Sequence, residues 1–412
     1  MGYLVRMAAR NLARNSRRSF LSALAIVIAL AMIVFAQGFV RGILDGIADN
    51  TARLKTGHIR VAAEEYLRQE RLLPLSEAVP FGPDVEALVD STPGIAARAG
   101  RIRFGVLLNN DDKSEPAMGL AIEPAREAGI LRLPEFIARG EYLSGADNEV
   151  VLGRGLAGKL GVGVGDTLVL ITRTAYGSPT GANLVVRGIV NSGIGQVDQR
   201  HFFITVAAAQ QLLDLSGMVS EVIIMLKDRT QASALAAGLQ ERLLAAGHDR
   251  LAARSYRSDP MMALFSMAEA VYFLIYIIIL LVASTAIINT MLMVVFERTR
   301  EIGMMKALGM TDRSVIGVLV LESTLIGLAG SIAGVALGGL VVVALSGPGI
   351  DFSGALGGDA NPTLIGGVVR PTLTALAVVS SFFLGLLLSA IVGVVATRRV
   401  SKLSPAEALR TI

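Results

Sequence analysis

The chain has 412 residues, of which 53% are hydrophobic and 17% charged, with no cysteine and no tryptophan. That apolar share is too high for an ordinary soluble protein of this length, and the lack of cysteine excludes disulfide frameworks, thiolate metal sites and cysteine nucleophiles. A net charge of +4 does not mark a nucleic-acid binder here, because the bases sit beside apolar runs, where they orient membrane spans.

Arg6, Arg10 and Arg14 lie at i, i+4 and i+8, with Leu4, Ala8 and Leu12 on a neighbouring face. This predicts a cytoplasmic amphipathic helix over residues 1–20, as an interfacial element or a plain orientation signal. Residues 21–40 are a first transmembrane helix, too long for a signal-peptide core and so an uncleaved anchor. The stretch to about residue 260 has mixed α and β texture. Strands are expected at Glu149–Leu152, Thr167–Thr172, Leu184–Val190 and Glu221–Leu226, and helices at Pro83–Val89, Ala207–Leu215 and Gln231–Ala246. Apolar runs return at 271–296, 314–345 and 371–397. The fold class is therefore an α-helical membrane protein with four transmembrane helices and a large mixed α/β domain between helices one and two.

Orientation follows from the bases near the span ends. Arg6 to Arg18, then Arg298, Arg300, Lys306 and Arg313, then Arg398, Arg399 and Lys402 all belong to the cytoplasmic side. Both termini are then cytoplasmic, residues 398–412 forming the tail. The large domain and the Gly-rich loop 346–370 lie outside.

Gly153, Gly155, Gly158 and Lys159 imitate a nucleotide loop, but Leu160 stands where a hydroxyl residue would hold magnesium, and a turn with a short helix is the better reading. His58, His201 and His248 have no ligand-like neighbour at i+3 or i+4 and read as scattered surface residues. No G-x-S-x-G or H-E-x-x-H occurs. The expectation is a chain that is not an enzyme and binds no metal or cofactor of its own. Within the spans, Glu322 and Asn289 are intramembrane polar groups, open to a functional or a packing role. Gly330, Gly334 and Gly338 form a G-x-x-x-G face for close helix contact, within the subunit or across a dimer.

Residues 297–310 form a charged amphipathic stretch between the second and third apolar runs. Ile302, Met305, Leu308 and Met310 supply apolar knobs, and Glu297, Arg298, Arg300, Glu301 and Lys306 a polar face. Gly309 ends the helix, and Thr311 and Asp312 cap the next. On these residues alone, a partner-binding helix and a connecting loop with snorkelling bases stand level.

Several stretches resemble permease subunits of ABC transporters of the MacB, lipoprotein-releasing (LolC/LolE) and FtsX superfamily: Arg14–Ser19, Glu297–Gly309, Leu403–Arg410 and the outer segment Glu149–Leu168. The resemblance implies a bacterial inner-membrane permease that dimerises, with itself or a paralogue, and binds two copies of a separate ATPase carrying ATP and Mg. It implies that 297–313 is the coupling helix, its contacts made by Glu297, Arg298, Glu301, Ile302, Met305, Lys306, Ala307, Leu308 and Gly309. Residues 41–55 and the start of 261–296 would form a stalk. Residues 56–260 would be a periplasmic domain with a ferredoxin-like part and an inserted β-rich part at about 139–206. The implied work is transmission of ATP-driven motion to the outer domain, extracting lipoproteins for a periplasmic carrier. MacB-type efflux through an adaptor and duct, or FtsX-like control of cell-wall hydrolases, are the alternatives.

Overall fold

The computed structural model describes residues 16–111, 113–259, 262, 270–274, 277–278, 281–282, 284–285, 288–289, 303–305, 307–352 and 367–400. A long helix, α1 (Ser16–Thr51), comes first, followed by β1 (Ile59–Ala63), α2 (Glu64–Arg68), β2 (Val79–Pro80) and α3 (Pro83–Asp90). Then come β3 (Ile95–Asn110), β4 (Lys113–Ile122), α4 (Pro124–Glu127), β5 (Ile137–Gly140), β6 (Glu149–Gly153) and α5 (Arg154–Leu160). After these are β7 (Thr167–Arg173), β8 (Pro179–Val190), α6 (Gly195–Arg200), β9 (His201–Thr205) and α7 (Val206–Leu213). The series continues with β10 (Met218–Val219), β11 (Glu221–Leu226), α8 (Ala232–Ala245) and β12 (Leu251–Ser255). It ends with α9 (Asp312–Ser346), β13 (Ile350–Asp351), β14 (Val368–Val369) and α10 (Ala375–Val400).

The chain divides into two units, one of residues 1–43, 267–350 and 370–412, the other of 44–266 and 351–369. Three helices among the described residues are long and apolar enough to cross a membrane, at Ala23–Thr56, Arg313–Ser346 and Ala375–Val395. The expected span at 271–296 lies largely outside the described residues, and those described between 270 and 289 are helical. Arg6, Arg10 and Arg14, most of the Gly-rich outer loop and the tail from 401 also lie outside them.

In the helical unit, Ile26, Leu30, Ile33, Ile326 and Val392 form the buried centre. The glycine face of α9 is spent on α1. A Cβ at Gly330 would lie 2.8 Å from Ile26, one at Gly334 2.9 Å from the Val27 carbonyl, and one at Gly338 2.8 Å from the Ala31 carbonyl. Small residues let the two backbones approach this closely.

Among the described residues, the sheet unit is built on a ten-stranded sheet. At one end the order β12-β1-β11-β3 is antiparallel, with α3 leading into β3 and α8 into β12, a split β-α-β pattern. Beyond it β3 pairs β4 and β7, β4 pairs β9, β9 pairs β6, β6 pairs β8, and β8 pairs β7. These pairings close a six-stranded ring, which takes in β3 and β4 as well as strands between 139 and 206. Its inward residues include Phe104, Leu108, Leu152, Leu170, Val186 and Phe202, all buried. Gly119 faces that core where Phe104 and Phe202 meet edge to face at 5.8 Å, and a Cβ there would come within 2.6 Å of the first ring.

Candidate functional site

The site is the place where α1 gives way to the sheet unit. Thr51 Oγ1 donates to the Ile47 carbonyl at 2.8 Å and closes the regular helix. Residues Ala52–Thr56 then widen into a π turn, shut by the Gly57 N–H on the Ala52 carbonyl at 2.7 Å. Gly57 has φ +61°, and a Cβ there would press on the Ile59 carbonyl at 2.7 Å, so the sharp exit into β1 needs glycine. A π turn is uncommon and concentrates at functional positions.

The last carbonyls of such a helix need donors. Arg101 of β3 provides them, donating to Arg53 O at 2.7 Å and Leu54 O at 3.2 Å. Its guanidinium is held by Glu127 of α4, Nη2 to Oε2 at 2.9 Å with a second, shorter bond from Nε. Both side chains are fully buried. Arg53 in turn donates to the Ile130 carbonyl at 2.8 Å and pairs with Asp49 at 2.7 Å, while Asp45 meets Arg229 at 2.9 Å.

Beside this clamp lies a network of three cations and three acids: Lys55, Arg60 and Arg103 with Glu70, Glu221 and Asp259. Glu70 accepts both Nη atoms of Arg60, at 2.8 and 3.1 Å, and Arg103 at 3.1 Å. Lys55 reaches Asp259 at 2.9 Å and Glu70 at 3.4 Å, and Arg60 reaches Glu221 at 3.3 Å. Burial raises the Glu70 pKa, but the Arg60 hydrogen bond, with Lys55 and Arg103 nearby, outweighs it and holds the group at about 2. A buried network of this kind adds little net stability, yet it penalises any arrangement that leaves one member unpaired. It ties the end of the π turn to the segment following β12 through the Lys55–Asp259 pair.

Of the expected coupling residues, Glu297, Arg298, Glu301, Ile302 and Lys306 lie outside the described residues. Gly303–Met305 and Ala307 are helical, and Gly309, at φ +90°, ends the turn. The Leu308 N–H bonds Met304 O at 3.0 Å and the Met310 N–H bonds Met305 O at 3.1 Å, a glycine-closed helix end. Thr311 then caps α9 through the Ser314 N–H. Met304 and Leu308, four residues apart on one face, are 48% and 88% exposed, Met305 is half-buried and Ala307 exposed. Within the helical unit Glu322 is buried and Asn289 exposed.

Of the nucleotide-like glycines, Gly153 and Gly155 have a packing role, while a Cβ at Gly158 would meet open space. A Cβ at Gly153 would lie 2.5 Å from the Asp198 carbonyl, so the residue admits α6 against the start of α5. Two of the three histidines are buried, not on the surface. His58 Nδ1 accepts the Leu226 N–H at 2.9 Å, and burial lowers its pKa. His201 Nδ1 meets the Gln196 carbonyl at 3.0 Å, and burial pulls its pKa down to about 4. Their partners are backbone groups several residues away or on another strand, which no i+3 or i+4 scan can find. The clamp and the network also escaped the sequence reading. The available signal was a lone arginine inside an otherwise apolar strand run, as at Arg60.

Residues 19–242 match the MacB-like periplasmic core domain, and residues 273–405 match the FtsX-like permease C-terminal family. The lipoprotein-releasing system transmembrane protein LolC of Neisseria meningitidis is 26% identical over 340 residues, 78% of this chain and 79% of that protein. LolC of Xylella fastidiosa is 26% identical over 267 residues, and the match spans 62% of each protein. The macrolide export ATP-binding/permease protein MacB of Shewanella oneidensis is 30% identical over 135 residues, 33% of this chain and 18% of that protein. Among solved structures, the periplasmic region of MacB from Actinobacillus actinomycetemcomitans aligns with 52% of this chain and 94% of its own, at 13% identity and TM-score 0.36.

Proposed function

Because the chain belongs to the family built on a MacB-like periplasmic core domain, followed here by an FtsX-like permease portion, we propose that it is the permease subunit of an ATP-driven transporter of the bacterial inner membrane. In this reading it is not itself an ATPase. Two copies of a separate ATPase, holding ATP and Mg, grip the cytoplasmic hairpin around 297–313, and a second permease completes the complex. Both termini are cytoplasmic and the sheet unit is periplasmic. The stalk at 41–55 and the segment from 261 carry motion to that unit instead of opening a channel. The substrate is a lipoprotein, extracted from the membrane and passed to a periplasmic carrier.

One observation supports the mechanical part above others. Lys55, in the π turn, and Asp259, beyond β12, are joined at 2.9 Å in a partly buried network. A domain moved by rods needs its two attachments fixed to each other, or the movement is spent on internal distortion. The arrangement suits that demand. The likeness to LolC proteins supports the choice of substrate.

The match to the MacB-like core over 19–242 favours a second reading, efflux with an adaptor and an outer-membrane duct. Depleting the chain and fractionating the membranes separates the two. Lipoproteins stranded in the inner membrane support the first reading. Normal lipoprotein sorting with lost export of drugs or peptides supports the second and removes the first.

A further inference from the structure

Among the described residues, strand β12 is the outermost strand at one end of the sheet and pairs with β1 alone. In its register Ala252 lies opposite Ala62 and Arg254 opposite Arg60. The Glu64 N–H bonds Arg250 O at 2.9 Å and the Tyr256 N–H bonds His58 O at 3.1 Å, so the even-numbered residues of β12 are the ones bonded inward. The main-chain groups of Leu251, Ala253 and Ser255 therefore point away from the sheet.

Three of these outward groups are engaged by side chains, the Ser255 carbonyl by Ser258 Oγ at 2.7 Å and the other two by a single residue. Gln240 of α8 accepts the Ala253 N–H on Oε1 at 2.7 Å and donates from Nε2 to the Leu251 carbonyl at 3.2 Å. In a parallel ladder one residue of the neighbouring strand makes this same pair of bonds, its N–H to one carbonyl and its C=O to the N–H two residues on. The carboxamide of Gln240 is thus a single peptide unit standing where a parallel neighbour would run.

Leu251, Ala252 and Ala253 are themselves buried, but solvent space lies beside them. A trough of about 740 Å³ lies between β12 and α8, and on the helix side it is walled by Ser233, Ala236 and Ala237, whose side chains are small. The stretch Leu251–Ser255 has neither proline nor lysine, the residues that commonly guard a sheet edge. Asp249 stands at the Leu251 end of the trough and Arg257 at the Ser255 end. A segment parallel to β12 finds complementary charge when it is basic at its amino end and acidic at its carboxyl end.

We infer that the edge of β12 is a strand-addition site for an extended segment of a separate polypeptide, laid parallel to β12, and that Gln240 is the placeholder it displaces. Main-chain bonds supply the attachment, and the end charges set its direction.

The test uses the full chain in detergent and a labelled synthetic peptide, acetyl-Lys-Val-Thr-Val-Thr-Glu-amide. Gln240→Ala removes the competitor, and affinity for the peptide is expected to rise about tenfold over the unaltered chain, the effect of two modest hydrogen bonds no longer being displaced. In that background Ala253→Pro removes the outward N–H, which an edge strand tolerates, and binding is expected to be lost. Ala237→Trp, at an exposed position, blocks the trough without touching the core and gives the same loss should the proline variant not fold. A peptide with its end charges exchanged should bind several-fold more weakly. Unchanged affinity in Gln240→Ala, or binding that survives both blocking variants, overturns the site. Stronger self-association of Gln240→Ala in sedimentation, without peptide binding, assigns the edge to a second copy of the chain and overturns the proposed occupant.

Discussion

Lys55 Nζ lies 2.9 Å from Asp259 Oδ2 across 204 positions of sequence. The Asp259 side chain is only 2% exposed, so its charge depends on protein partners, and the Lys55 ammonium is shared with Glu70 at 3.4 Å. A force on the π turn is therefore a force on the segment beyond β12.

If this pair couples the two attachments, Asp259→Asn and Lys55→Ala should leave ATP hydrolysis by the proposed complex running while substrate release per ATP falls about fivefold or more, the scale of an ordinary coupling energy. Reconstituted vesicles give both rates at once. An unchanged ratio in both variants removes the coupling role and leaves the pair structural.

The clamp at Arg101 makes a separable prediction. Arg101→Met strands the fully buried Glu127 carboxylate and takes the donor from the carbonyls of Arg53 and Leu54. The expected cost is about 3–5 kcal/mol in thermal or chemical unfolding of the purified chain. Adding Glu127→Leu should recover much of it, because the orphaned charge is the larger part. A double variant as unstable as the single one would show that the π turn itself carries the loss.

The elements the sequence discloses are those whose cause is local. Glu221–Leu226 reads as a strand at its full length because the run after Glu221 is apolar and every residue of it is buried. The spacing of Gly330, Gly334 and Gly338 announces close packing, though it does not say that α1 fills the face. Strand β3 is hidden for the opposite reason. Arg98, Arg101 and Arg103 break its alternation, and their acids, Asp90, Glu127 and Glu70, lie on other elements. The network around Lys55 is hidden in the same way, since a charge paired over a long sequence separation leaves no periodic trace. Gly153 misleads because a backbone contact with α6 and a phosphate cradle both require a residue without Cβ.

Acid should weaken the sheet unit in two steps. His201 is held neutral, its pKa pulled from 6.5 to about 4 by burial first, with Arg103 and Arg200 adding repulsion. Between those values the unfolded chain binds a proton that the folded chain refuses, so stability is full above pH 6.5 and falls as pH drops toward 4, by up to about 3 kcal/mol. His58, also lowered by burial, adds a loss of the same sign. Glu70, held at about 2, acts lower, its contribution present above about pH 4.5 and lost as pH falls through 2. Melting temperature against pH should therefore slope upward from 4 to 6.5, and His201→Asn should flatten part of that slope. A profile that is flat in the parent chain would overturn the assignment.

The glycines of α9 divide into tight and slack positions. A methyl at Gly334 would lie 2.9 Å from the Val27 carbonyl, against backbone that cannot yield, while one at Gly339 would meet only Leu373 at 3.6 Å. Gly339→Ala should gain up to about 1 kcal/mol from helix propensity. Gly334→Ala should lose about 1–3 kcal/mol from overpacking despite the same propensity gain. Melting in detergent compares the two, and equal effects would mean that α1 moves aside freely.

The hairpin proposed to be cytoplasmic can be tested without disturbing the fold. Leu308 is 88% exposed and Met304, one turn earlier, 48% exposed, so neither contributes much to the core of its own unit. An apolar pair displayed on a turn that Gly309 closes and Thr311 follows is placed to fill a partner's groove, and anchors of this kind carry most of a helix-in-groove interface. Leu308→Asp should therefore leave the melting temperature of the purified chain unchanged within a degree or so while reducing recovery of the proposed ATPase on pull-down by about tenfold, the consequence of losing one anchor of roughly 1.4 kcal/mol. Leu308→Met keeps an apolar anchor and should retain most of the binding. Wild-type recovery and wild-type ATP turnover with Leu308→Asp would move the contact elsewhere on the chain, and a fall in melting temperature would make Leu308 a structural residue of the helical unit.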